Sequence, residues 1–141
     1  MKDNPVVCLA TADLHASLRP PVARSCEEPW LAAQARPFRQ LQELSFQHGG
    51  VPILAAGDLF DRWDSRPELL EWALTEVPVL VAVPGNHDLP GHNLDEVHRS
   101  AYGVLVKAGR IIDVRPGKPV EFVGRGGNPF RVHGFPVGVP V

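Results

Sequence analysis

Three nearly continuous apolar runs, each breaking off in a short polar cluster, constrain this chain more than any other feature. They are "PVVCLATADLH" from Pro5, "PILAAGD" from Pro52 and "PVLVAVPGNHD" from Pro78. A strand with one wet face alternates apolar and polar residues, whereas a strand covered on both faces stays apolar throughout. Runs this short, bounded by Pro and Gly, are strands rather than helices. They fit a parallel sheet with helices outside it.

Helical patterns fill the gaps between the runs. From Trp30 to His48, Phe38, Leu41 and Leu44 recur about a turn apart until Gly49-Gly50, and Pro37 marks a start or a kink. Ser65, Pro67 and Glu68 read as an N-cap, an early proline and a capping-box acid, followed by a stripe of Leu69, Ala73 and Val77. Asn93 and Glu96 repeat that start signal ahead of Leu94, Val97, Ala101 and Val104, and Gly109 ends the helix. Beyond Gly109, "RIIDV", "PVEFV" and "FRVHGF" are short, partly alternating segments that read as antiparallel strands.

The bulk numbers remove several function classes. With 141 residues the chain is one domain, 1–141, large enough for a real core. A formal charge of −2 without runs of like charge argues against a strongly basic nucleic-acid clamp or a membrane-surface module. It leaves room for a nucleic-acid substrate at a small local site. Cys8 and Cys26 make no disulfide framework, and reduced thiols point to a cytoplasmic protein. No stretch approaches membrane-spanning length, and the first apolar run is too short and too acidic at its flanks for a signal peptide.

Where the runs end, the polar residues are Asp13 and His15, then Asp58, Asp61 and Arg62, then Asn86, His87 and Asp88. In open α/β sheets ligands gather at the carboxyl ends of the strands. Asp, His and Asn converging there offer oxygen and nitrogen donors, suited to Mn, Fe or Zn rather than to a thiolate site.

"DLH", "GDLFDR" and "GNHD", in this order and each at the end of an apolar strand, resemble the calcineurin-like metallophosphoesterases. The wording from Gly57 to Asn93 is most similar to the nuclease-like branch, which includes double-strand-break repair nucleases and phage-type relatives. The resemblance implies half of a four-layer α/β/β/α sandwich, with mostly parallel strands, flanking helices and then short antiparallel strands. It implies two divalent metal ions, with Asp13 and His15 on the first, Asp58 bridging both and Asn86 on the second. His87 would be the general acid, Asp88 would orient its ring, and Arg62 would reach the phosphate with Asp61 behind it. Two such cations, roughly 3.5–4 Å apart, would activate a hydroxide for attack on a phosphoester. The implied function is hydrolysis of phosphodiesters, DNA among them. A phosphomonoesterase or phosphoprotein phosphatase, and a non-catalytic binding module of the same fold, stand as alternatives. Carboxylates converging without cations would repel one another, so the metal-free site is expected to be poorly set.

The family completes its site with later histidines, one isolated and a later pair in a G-H-x-H phrase, and no such phrase occurs here. His92 is placed to line the site, His98 falls on the third helix, and His133 is a weaker ligand candidate. The chain therefore reads as the N-terminal part of such a domain, with the C-terminal metal-binding half absent. A half-domain leaves an unpaired sheet edge and apolar surface, so self-association or need of a missing C-terminal segment is expected. Bland roles remain open beside the sharp ones. Arg62 and Arg66 suit surface ion pairs with Asp64 or Glu68 as well as a phosphate contact, Trp63 and Trp72 suit packing, and the Leu18–Pro29 loop suits a surface excursion.

Overall fold

The computed structural model, which describes residues 5–124 and 127–140, turns the three apolar runs into parallel strands. These are β1 (Leu9–Thr11), β2 (Ile53–Ala56) and β3 (Leu80–Val83), and β4 (Ile111–Asp113) joins them in the order β1-β2-β3-β4. The register sets Leu9 beside Ile53, Leu54 beside Val81 and Val81 beside Ile112. Side chains alternate across a strand, so the sheet has two apolar faces.

One face carries Ile53, Ala55, Leu80, Ala82 and Ile111 into the main core, which also holds Phe38, Leu69, Ala73, Val77, Tyr102 and Leu105. Those partners come from α1 (Trp30–Gln47), α2 (Pro67–Glu76) and α3 (Ala101–Lys107), or from their immediate ends. The rings of Phe38 and Trp72 meet edge to face, with centroids 5.7 Å apart. Trp72 Nε1 donates to the Leu31 carbonyl at 3.0 Å, and Arg39 grips Glu76 through two bonds of 2.9 and 2.7 Å. These contacts fix α1 against α2.

The other face, with Leu54, Ala56, Val81, Val83 and Ile112, meets an antiparallel hairpin, β5 (Val120–Val123) and β6 (Pro129–Val132). Phe122 shares a groove with Val81 and Ile112. Past β6, a Cβ on Gly134 would stand 2.6 Å from both Val83 Cγ1 and the Val114 carbonyl oxygen, so only glycine lets the chain settle on the sheet there. The cover is incomplete, because Ile112 keeps 39% of its surface exposed. No described helix is long and apolar enough to cross a membrane, and both cysteines are free.

Three sequence expectations change in detail. β4 is parallel to β3 rather than antiparallel, because α3 carries the chain back over the sheet before Ile111. The third helix is two pieces: a 3-10 stretch, Leu94–Arg99, and then α3. Ser100 divides them, its Oγ capping the Gly103 N–H at 3.1 Å while the Ala101 N–H bonds to the Trp63 carbonyl at 2.8 Å. Tyr102 and Leu105 are buried as a result, and Val104 faces out. At α2 the N-cap is Arg66, one residue later than expected, since Ser65 Oγ bonds to the Arg62 carbonyl instead. Pro37 sits inside α1 without ending it.

Candidate metal centre

The site is built by backbone hydrogen bonds that outlast the strands. Beyond β1 and β2 the two loops stay paired: Asp13 N–H to the Gly57 carbonyl at 3.2 Å, His15 to Asp58 at 3.0 Å and Ala16 to Leu59 at 2.8 Å. Asp61 N–H returns to the Ala16 carbonyl at 3.1 Å. Within this ladder Asp13, His15 and Asp58 take left-handed backbones, with φ of 54°, 44° and 51°. Asp and His tolerate that region better than most residues, at a cost of about 1–3 kcal/mol each. Strain at three neighbouring polar residues marks a site whose side-chain directions matter.

The third loop locks onto the second. His87 N–H donates to Asp58 Oδ1 at 3.0 Å. Asp88 is fully buried, and its carboxylate accepts from the backbone of Gly85 at 2.9 Å, Phe60 at 3.0 Å and Leu59 at 3.2 Å. Burial raises its pKa, and those three N–H groups offset only part of the rise. The approach is so close that a Cβ on Gly57 would lie 2.8 Å from Gly85 Cα, and one on Gly85 would lie 2.1 Å from Asp58 Oδ1. Asp88 was expected to orient the His87 ring. Its oxygens instead hold these backbone groups together, and His87 Nδ1 bonds to the Asp61 carbonyl at 2.8 Å. A carbonyl only accepts, so Nδ1 carries the hydrogen. That bond, with the carboxylates of Asp58, Asp61 and Asp88 nearby, raises the His87 pKa against a smaller opposing effect of burial.

Among the described residues two groups of metal-competent donors result, Asp13–His15–Asp58 and His15–Asp61–His87, each with one atom per residue within 4.8 Å of the others. They share His15. Its Nδ1 is buried without a hydrogen-bond partner and lies 3.7 Å from Asp61 Oδ1, while Nε2 lies 3.9 Å from Asp13 Oδ1. The His15 and His87 rings meet edge to face at 4.9 Å. A buried imidazole nitrogen without a partner, among converging carboxylates, fits a divalent cation.

The remaining candidates sort by position. Asn86 lines a cavity of about 290 Å³ with His87, His92, Trp63 and Asp61. Arg62 makes two 2.9 Å bonds to Asp64, so its guanidinium is held in an exposed ion pair. His98 is exposed, with Nδ1 on the Asp95 carbonyl at 3.1 Å. His133 lies in the groove over the second sheet face, outside both donor groups. Asp61, assigned by sequence to a supporting place, is a member of the second group. Gln34 was not foreseen: its buried amide accepts from the Ser17 N–H at 3.1 Å and donates to the Ser17 carbonyl at 2.9 Å, two residues past His15. A polar residue among apolar ones on the inner side of α1 was the available signal.

No curated protein matches the chain. The family model for calcineurin-like phosphoesterase matches residues 7–137, a span that takes in all three loops, the sheet and the hairpin. With the fold, the donor groups and that match in agreement, the chain belongs to the calcineurin-like phosphoesterase family.

Proposed function

We propose that this protein is a metal-dependent phosphoesterase that hydrolyses phosphodiesters, a DNA strand among them, using two divalent cations, manganese foremost. Asp13, His15, Asp58 and Asn86 would hold the cations. The observation that carries the reading is the Asp13–His15–Asp58 donor group, in which His15 keeps a buried Nδ1 without a hydrogen-bond partner. Bound there, the cations would supply Lewis acidity, which acidifies water and offsets phosphoryl charge.

The chain's own groups do the rest. The Asp61 carbonyl fixes the His87 tautomer, leaving Nε2 to hold a proton for the departing ester oxygen. Asp88 positions the second and third loops.

The test is hydrolysis of bis-nitrophenyl phosphate against mono-nitrophenyl phosphate under added manganese, alongside calorimetric manganese titration. The expected result is preference for the diester, with Asp58→Asn lowering kcat/KM by at least about a hundredfold and abolishing the titration. Preference for the monoester rejects the diester reading. Stoichiometric manganese binding without turnover of either ester makes the protein a binding module.

A further inference from the structure

Beside the metal centre runs a trough of about 610 Å³ whose walls are Ala16–Arg19 on one side and Asp61, Arg62, Asp64–Arg66 and Leu69 on the other. Three arginines reach it: Arg19, Arg62 and Arg66. Arg62 is taken by Asp64. Arg19 and Arg66 have no side-chain ion pair among the described residues. Asp61 is common to this trough, to the 290 Å³ cavity that holds Asn86 and His87, and to a donor group. The metal centre therefore opens on two sides.

Both walls are built rather than loose. Ser17 is fixed by Gln34 through both backbone groups, and Trp30 Nε1 adds a 2.9 Å bond to its carbonyl. Ser17 Oγ then donates to the Arg19 carbonyl at 2.8 Å, and on the facing wall Ser65 Oγ donates to the Arg62 carbonyl at 2.8 Å. Arg19 and Arg66, on braced backbone and without a side-chain ion pair among the described residues, supply the charge that a second phosphate beside this centre would need. A monoester has one arm and would leave one side empty. A strand crossing Asp61 fills both.

We propose that Arg19 and Arg66 bind the neighbouring phosphate of a nucleic-acid strand whose scissile phosphate lies at the Asp13–Asp58–His87 centre. The proposal rests on the phosphodiester reading above and names the substrate class for it. Arg19 and Arg66 set preference for strands over simple diesters, and the trough fixes the side on which the strand continues.

The test is equilibrium calorimetry with manganese, using thymidine dinucleotides joined by a phosphorothioate to slow cleavage. One set has an added terminal phosphate at the 5′ end, one at the 3′ end and one at neither. ADP and AMP form a separate arm. The expected result is about tenfold tighter binding for one of the two terminal phosphates, the worth of a charge-assisted contact. That gain should disappear in Arg19→Gln/Arg66→Gln and persist in Arg131→Gln, whose exposed side chain pairs with Glu121 on the hairpin. No gain in the wild type, a gain that survives loss of both arginines, or a gain confined to ADP over AMP overturns the proposal. A gain that behaves as expected in a protein that hydrolyses no ester sinks the hydrolytic reading alone.

Discussion

Gly85 has no room for a methyl group, and the atoms in its way are Asp58 Oδ1 at 2.1 Å and Asp58 N at 2.4 Å. They belong to backbone and to a carboxylate already bonded to His87, so neither gives way cheaply. Gly85→Ala should therefore weaken manganese binding by about 10–100-fold, as loss of a supporting contact does elsewhere, while the protein still folds. Calorimetric titration beside a thermal melt checks this; unchanged affinity would mean that Asp58 does not need its present place. At this scale the sequence was legible in residue type and less so in role. "GNHD" pointed to a site, yet nothing in the letters distinguishes an aspartate that orients a ring from one that gathers three N–H groups. That depends on which way a loop turns, and a loop's path is fixed by distant partners.

Among elements, α1 and α2 are joined by an ion pair with a defined pH response. Hydrogen bonding to Arg39 holds the Glu76 carboxyl below the usual carboxylate range. A depressed folded pKa means the unfolded chain binds the proton more readily. The contribution is complete above the unfolded value of about 4.3 and is lost as pH falls through the lower folded value. Melting curves of wild type and Glu76→Gln should differ at neutral pH and converge in acid; a gap that stays constant would mean the pair contributes nothing through charge. The order of strands and helices was readable because apolar runs and turn residues are local signals. The break at Ser100 and the direction of β4 were not. One depends on the Ala101 N–H finding the Trp63 carbonyl, the other on which edge of the sheet lies free when the chain returns.

For the whole molecule, the apolar surface around the sheet's second face carries a prediction about association. The cover of that face is a two-stranded hairpin, and Val123 at the end of β5, on the hairpin's outer side, and Val137 past β6 keep 75% and 58% of their surface exposed. Apolar area of this kind favours association. Light scattering should show apparent mass rising with protein concentration, and Val123→Lys/Val137→Lys should reduce the rise; a constant monomer mass in the wild type would contradict it. The family was readable from three short motifs because each stands at a strand end, where chemistry and topology coincide. How far the hairpin covers the sheet was not, since burial is a property of the assembled layers.

The hydrogen bonds that pair the first two loops beyond β1 and β2 bear on how an ion is received. Donor spacing here is metered by the peptide repeat of the paired loops, so the bite is expected to be set by backbone rather than by the cation. Amide hydrogen exchange at His15, Ala16 and Asp61 should accordingly be slow in chelator-treated protein and scarcely change on adding manganese. Fast exchange that slows only with the ion would describe a jaw that closes, where the geometry describes one cast in its closed form.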